Sequence, residues 1–378
     1  MTSSSTDTWI AAGTVNVGGI NYNRYVDSGA VLYVETTIAQ SGVANLTGSQ
    51  QYTFDTTSLG LSGDVSNFPV LIRITNATIV NAVDPTNPHI RFIDDDGFTE
   101  LPFEVESWDQ SATEADVWVL VPKIYMNTNT HYITMYYNGT ADTGGGQNPG
   151  LVWADYAAVY HFNDSSVANV ADSTGYQNAG TQTLSGISST SFIGAGRNFN
   201  GGAYTIPDNT SFDVNNKSYS IEFWYNEPSS SLTSTAKPVF SRSNGTKYWN
   251  VISSSLILSG LVTAPPRGNI SDGLGTDTVN IGASGSLTFT FDQWNYLNLV
   301  IDAGSGTETA YLNSASLTPN SSYRNMEDTS GNTQNLVIGG SGSNMQLDEF
   351  RIYRGVESSD RIKLNYANQM SGSTFVSP

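Results

Sequence analysis

The sequence predicts an all-β protein of two or three domains, and three observations carry that prediction. Its 36 Gly stand among many Ser, Thr and Asn, a profile of short strands joined by frequent turns. Apolar and polar residues alternate over short runs, and helical spacing is confined to one stretch near the C-terminus. A chain of 378 residues is also long for a single hydrophobic core. Apolar residues make up 38% and are spread along the whole length, which predicts folded rather than disordered chain.

The charge balance narrows the function classes. Thirty-four acidic against 15 basic residues leave a net charge of −19, which repels phosphate backbones, so nucleic acid is not an expected partner. Only 13% of residues are charged, so the surface is mainly neutral-polar, as suits a protein outside the cytoplasm or on a particle. The absence of cysteine excludes disulfides and cysteine-ligated zinc. The stretch Met1–Gly19 lacks a basic segment followed by an apolar run, and no run of apolar residues is long enough to span a membrane. The expectation is a protein assembled without secretion, as virion proteins are, with a removed leader as the alternative.

Residues 1–48 differ from the rest. Two short alternations, each beside a Ser-Gly pair (Ser28-Gly29 and Ser41-Gly42), resemble the rungs of autotransporter-like β-solenoids. Two rungs bury no core, since about three are needed. This segment is therefore expected to be a β arm that gains stability against another chain or domain, either further copies of the protein or other virion proteins.

Residues 49–140 read as a small β-sandwich. "FPVLIRIT" (Phe68–Thr75) is apolar and β-branched, and "HIRFIDDDGFTELPFEVESWD" (His89–Asp109) holds two strands around the Asp96-Gly97 turn. "ADVWVLVPKI" (Ala115–Ile124) and "HYITMYYNG" (His131–Gly139) complete the set. These segments, in this order and spacing, resemble an uncharacterised prokaryotic domain found in surface proteins and beside ExbB/TolQ-type channel proteins, often just before a laminin-G-like module. The resemblance implies a fold and a context but no reaction. The Gly-rich residues 141–150 read as a linker.

Residues 151–378 resemble concanavalin A-like, laminin-G-type jelly rolls. The resemblance rests on "VWADYAAVYHFND" with "VADSTGYQNAGT", on "GAGRNFNGGAYTIPD" (Gly194–Asp208) and "YSIEFWYN" (Tyr219–Asn226), and on "FDQWNYLNLVID" (Phe291–Asp302), "TAYLNSASL" (Thr309–Leu317) and the closing Asn335–Gln369. "ESSDRIKLNYAN" (Glu357–Asn368) is the helical stretch, capped by Ser358 or Ser359, and reads as structural closure. The predicted architecture is thus a β arm, a small sandwich and a jelly roll.

Candidate chemistry is sparse. His161 lacks a cysteine or a serine-elbow partner and a His-x-x-x-His companion, and His89 and His131 belong to the preceding domain, so it reads as a strand residue between Tyr160 and Phe162. Asp164, Asp172 and Asn178 are oxygen ligands of the kind Ca²⁺ prefers. Laminin-G-like sandwiches often hold one Ca²⁺ at a sheet edge, which adds Asp348; the alternative is that these residues cap turns. "IDDDGF" (Ile93–Phe98) stacks three carboxylates that solvent or a cation must relieve, and reads as an exposed hairpin turn.

Glu104 and Glu106 share a strand face, but in the small sandwich, where they read as a polar face beside the linker. "DEFRIY" places its adjacent acids on opposite faces. Paired catalytic carboxylates, and hence an enzyme, are not expected. Arg242, Asn244, Tyr248 and Trp249 surround a tight turn and are the candidate ligand contacts, whereas Trp224, Trp294 and Tyr296 read as core. The expected function is a non-enzymatic structural and adhesive protein of a virion surface, binding a glycan or host-surface polymer. The alternatives are a secreted or envelope-anchored glycan-binding protein and, third, a carbohydrate-active enzyme.

Overall fold

The computed structural model describes residues 10–17, 20–27, 30–35, 46–139, 146–190, 192–213, 217–231, 237–243, 247–252, 255–257, 262–264, 267–272, 276–280, 283–284, 287–316 and 333–378. For most of the strands within 10–35 and 247–288 this description extends to the backbone alone. The N-terminal strands Ile10–Val17, Ile20–Asp27 and Ala30–Glu35 form an antiparallel sheet in sequence order. Among the described residues no helix is long and apolar enough to cross a membrane.

The small sandwich packs two sheets around Phe54, Phe68, Val70, Ile72, Ile90, Phe92, Val117, Val119, Ile133 and Met135. One sheet runs in the order Val376–Ser377, Leu46–Phe54, His131–Gly139, Ile90–Asp94, Glu100–Leu101; the other runs Val65–Ile74, Glu114–Ile124, Phe103–Asp109. The Asp96-Gly97 turn forms as expected. Gly97 takes φ +78°, and the Asp96 carboxylate accepts from the Phe98 and Thr99 amides and the Thr99 hydroxyl.

The jelly roll has two larger sheets. One runs Ile187–Thr190, Gly196–Asn200, Asn344–Tyr353, Tyr219–Asn226, Asn295–Asp302, Thr307–Leu312, Ala315–Ser316, with Tyr156–Tyr160 also paired to Asn344–Tyr353. The other runs Asn169–Val170, Gly180–Leu184, Ala203–Ile206, Leu336–Gly339, Pro238–Ser243, Lys247–Ile252, Arg267–Asp272, Thr276–Asn280. Phe199, Tyr204, Phe223, Phe240, Leu299 and Phe350 fill the space between them.

The chain then returns to its beginning. Helix Ser359–Gln369, capped by the Ser358 hydroxyl on the Arg361 amide, places Leu364 in the core of the small sandwich. The Asn368 amide pairs with both backbone groups of Leu71 (2.6 and 2.9 Å), so the helix satisfies the open edge of strand Val65–Ile74. Val376–Ser377 adds a strand beside Leu46–Phe54, and Phe375 stacks on Phe54 at 5.7 Å.

A third cluster joins the sandwiches. The sheet of Val65–Ile74, Glu114–Ile124 and Phe103–Asp109 has two buried faces, one on its own core and one turned to the jelly roll. Leu71 and Trp118 meet Trp153, Tyr156, Val159, Ile193, Trp224, Tyr296 and Ile362 across that boundary. Trp224 and Tyr296, read as core from the sequence, are core residues of the junction.

Candidate functional site

The junction between the sandwiches holds a buried charge network and, beside it, a cleft. Strand Phe103–Asp109 alternates as far as a register shift against Glu114–Ile124 at Glu106, and Glu104 and Glu106 both leave the small sandwich towards the jelly roll. Both are buried. There they meet His161, which follows strand Tyr156–Tyr160 and is 2% exposed. His161 Nε2 lies 3.3 Å from Glu104 Oε2, and Nδ1 lies 2.7 Å from Glu349 Oε1 and 3.7 Å from Glu106 Oε2. The polar face expected beside the linker is therefore an interdomain contact.

Glu349 reaches this point through a β-bulge. Strand Asn344–Tyr353 shifts register against Tyr219–Asn226 at this position, and Glu349 takes φ +54°. The strict alternation expected of "DEFRIY" fails here, and Asp348, Glu349 and Arg351 all serve the junction side. The Asp348 carboxylate accepts from the Ile193 and Glu349 amides. Arg351 pairs with Glu349 and, at 3.4 Å, with Glu222, while its guanidinium lies 4.2 Å from the Trp118 ring and 4.7 Å from the Trp153 ring.

Environment sorts the protonation states. Burial acts against His161 carrying charge, but the carboxylates of Glu349 and Glu104 outweigh it and raise its pKa well above the usual range. Burial also opposes ionisation of Glu349, yet His161 and Arg351 bring its pKa down to about 2. Glu104 is held below its ordinary value, because His161, Ser173 and the Trp153 indole outweigh its burial. Glu106 goes the other way: burial, then the charge of Glu349, push it well up. The raised pKa of Glu106 lessens the repulsion among the carboxylates that surround His161 and Arg351, which also include Glu104, Glu349, Glu222 and Asp348. Fewer unpaired like charges is what a water-poor junction requires.

Glu106 also forms part of the cleft wall. Its Oε2 accepts from the Trp118 indole at 2.7 Å, whereas its buried Oε1 has no hydrogen-bond partner and lies under Gly194. The cleft, of about 900 Å³, is lined by Arg73, Glu106, Ser107, Trp108, Glu114, Asp116, Asn163, Phe192, Gly194, Trp294 and Gln369, among others. Trp108 hangs from the small sandwich by its indole N–H, donated to the Val80 carbonyl at 3.0 Å. Trp294 packs at a tilt on Phe192 (5.0 Å), which packs on Trp224. Both indoles keep part of their surface open, and Trp294 thus differs from the core position expected of it. Arg73 donates to the carbonyls of Asn368 and Gln369 (2.8 and 2.6 Å) and faces Asp116 at 4.0 Å. Asp116 accepts from Ser107 and the Gly194 amide. Burial raises its pKa, against the opposing charge of Arg73.

The residues singled out from the sequence lie elsewhere. Arg242 is fully buried and bonds Asp208 (2.6 Å), Asp213 (3.1 Å) and the Phe212 carbonyl, so it ties loops together and offers no ligand contact. Asn244 is outside the described residues, as are the side chains of Tyr248 and Trp249, whose backbone forms part of strand Lys247–Ile252. Asp172 accepts from the amides of Val159, Thr174 and Asn178 and from the Thr174 hydroxyl, which staples the long loop. Asn178 donates to the Ala157 carbonyl and Ser211, and Asp164 accepts from the Ala171 amide. Asp172 and Asn178 are adjacent through that bond, while Asp348 belongs to the charge network. Among the described residues, two groups of at least three His, Asp or Glu converge closely: Glu106 with His161 and Glu349, and Asp94 with Asp95 and His131. Neither contains the calcium set expected from the sequence.

Comparison with known proteins adds a partial family match. Residues 87–178 match the model of a family described as a domain of unknown function (DUF2341), which spans Glu104, Glu106, Trp118, Trp153 and His161. No curated protein matches the sequence. Among solved structures, the chain is similar to the binding domain of Paraclostridial Mosquitocidal Protein 1 (12% identity, TM-score 0.45, 57% of this chain and 52% of that one). It is also similar to Domain 4 of AbnA, a GH43 extracellular arabinanase from Geobacillus stearothermophilus, in complex with arabinotriose (19% identity, TM-score 0.41, 55% of this chain and 97% of that one). A third is the receptor binding domain of botulinum neurotoxin mosaic serotype C/D (14% identity, TM-score 0.44, 56% and 50%). The aligned part spans about half the length of the first of these.

Proposed function

We propose that the chain is a non-enzymatic, surface-displayed binding protein whose two locked sandwiches present the interdomain cleft to a glycan. One observation carries this reading. Two half-open indoles, Trp108 and Trp294, share a cleft with the amide of Asn163, the guanidinium of Arg73 and the carboxyl of Asp116. Flat apolar faces beside a few fixed polar groups are the chemistry that recognises a sugar ring. The polar groups are already held by protein partners, so binding orders little and loses little entropy. A net charge of −19 selects neutral over anionic glycans. The neutral-polar surface and the N-terminal sheet fit display on a virion, with a cell envelope as the alternative setting.

The test is a glycan array probed with the full chain and with Trp108→Ala and Trp294→Ala. Binding to neutral glycans that each change weakens at least about tenfold supports the reading, tenfold being about 1.4 kcal/mol. Binding indifferent to both changes, or confined to anionic glycans, contradicts it. Hydrolysis of a bound glycan that Glu106→Gln abolishes would overturn the non-enzymatic assignment.

A further inference from the structure

The acidic hairpin of the small sandwich ends beside a histidine that the binding cleft does not use. Ile90, Phe92 and Asp94 lie on the core-facing side of strand Ile90–Asp94, and Ile133 of His131–Gly139 pairs with Asp94. By the same alternation His131 continues that face past the end of the core. Its ring is clamped edgewise between Phe54 (5.1 Å) and Tyr125 (5.0 Å), and its side chain is 4% exposed. Of its two nitrogens, Nδ1 has no hydrogen-bond partner, and Nε2 points out of the apolar slot at two carboxylates.

Those carboxylates stand at metal spacing rather than hydrogen-bond spacing. Nε2 lies 3.5 Å from Asp94 Oδ1 and 4.0 Å from Asp95 Oδ2, and the three ligand atoms all fall within 4.8 Å of one another. A tetrahedral Zn²⁺ site with bonds of about 2.1 Å has ligand atoms about 3.4 Å apart. Asp96, the third acid of the hairpin, is taken up by the turn it caps. Asp94 and Asp95 face His131, with Asp94 Oδ1 also accepting from the Asp95 amide at 3.0 Å, and Asp95, whose side chain is 40% exposed, keeps the fourth position open to water.

We propose that Asp94, Asp95 and His131 form a binding site for a divalent transition metal of the Zn²⁺ class, with water completing the tetrahedron. One imidazole with two carboxylates suits Zn²⁺, whereas Ca²⁺ takes six to eight oxygens. One imidazole nitrogen and two carboxylates converging on a single point form a donor set for a cation, and the rigid aromatic clamp fixes the ring's direction before the metal arrives. Bound there, the ion crosslinks the hairpin to strands His131–Gly139 and Leu46–Phe54, with Phe54 packed on the ligating ring.

The experiment titrates the chelator-treated full chain with ZnCl₂ by calorimetry and records the visible absorption of the Co²⁺ form. One equivalent of Zn²⁺ is expected, with four-coordinate Co²⁺ bands and a Zn²⁺-dependent rise in melting temperature that CaCl₂ does not reproduce. Asp95→Asn, at an exposed position that leaves the core intact, should weaken Zn²⁺ by at least about tenfold, the scale set by changes to groups that merely support a ligand. His131→Gln should abolish the Co²⁺ bands. Three results would overturn the site: no saturable Zn²⁺ binding, affinity unchanged in Asp95→Asn, or binding lost in His161→Gln but retained in Asp95→Asn.

Discussion

Arg351 of the jelly roll lies against the Trp118 ring of the small sandwich, 4.2 Å from its centre, and 4.7 Å from the Trp153 ring, which meets Trp118 edge to face. The cation covers a pair of touching indoles that belong to different sandwiches, so loss of either ring unpacks the junction rather than one domain. Trp118→Ala is expected to destabilise the chain by about 3–5 kcal/mol, the usual cost of emptying a large buried aromatic site. Chemical denaturation should also split from one transition into two as the sandwiches uncouple. A loss below about 1 kcal/mol would place the junction's stability elsewhere.

The His161–Glu349 pair is the ionic counterpart of that contact. Its members are 188 residues apart in sequence and 2.7 Å apart in the fold, and both are buried. Glu349→Gln leaves His161 and Arg351 short of one anion, and about 3–5 kcal/mol should be lost. His161→Gln should lose a similar amount, and the double variant should lose less than the sum of the two, as coupled sites do. Strict additivity in a denaturation cycle would contradict a direct pairing.

Stability should be greatest on the acid side of neutral. His161 has a folded pKa raised above its ordinary 6.5, so its contribution is complete below 6.5 and is lost as pH rises through the raised value. Glu357, which burial and the charge of Glu222 push up to about 8 from 4.5, keeps a proton that the unfolded chain has released, so stability falls across that interval too. Glu349, held at about 2, acts in the opposite sense: its contribution is present above 4.5 and lost as pH falls towards 2. Melting temperatures across this range should therefore peak at weakly acidic pH. Glu106→Gln removes one retained proton and should flatten the alkaline fall, with little effect at the peak. A stability maximum above pH 8 would contradict these protonation states.

The C-terminal return can be tested by truncation. Removing residues 371–378 deletes the strand Val376–Ser377 and takes Phe375 from its stack on Phe54, which uncovers Thr53 and Phe54 at the sheet edge. The truncated chain is expected to melt lower and to self-associate, as exposed apolar edges do, by light scattering. Asn368→Ala should cost about 1–3 kcal/mol, because both backbone groups of Leu71 lose their buried partner. A monodisperse truncation with unchanged melting would show that the tail is incidental.

The strands were legible because their cue is local. "FPVLIRIT", the Asp96-Gly97 hairpin and "YSIEFWYN" announce themselves by alternation and turn chemistry, and so does the Ser358-capped helix. What packs on an outer strand face is not local. Glu104 and Glu106 look like a solvated face unless one notices that the neighbouring strand carries Asp116 and Trp118 on the same side. A Trp opposite a Glu pair was the available sign of a second interface. The bulge at Glu349 had no such sign, because a left-handed glutamate is set by its surroundings. Arg242 was misleading for a related reason: a charged residue near a turn resembles a ligand contact until its buried partners Asp208 and Asp213 are seen, some 30 residues away.

The most direct measurement is an indole N–H spectrum of the ¹⁵N-labelled full chain titrated with a glycan selected on the array. The chain has seven Trp, which substitution can assign one by one. Shifts at Trp108 and Trp294, with Trp118, Trp153 and Trp224 unmoved, are the predicted result. Shifts confined to Trp249, with the cleft indoles silent, would contradict the cleft as the binding site.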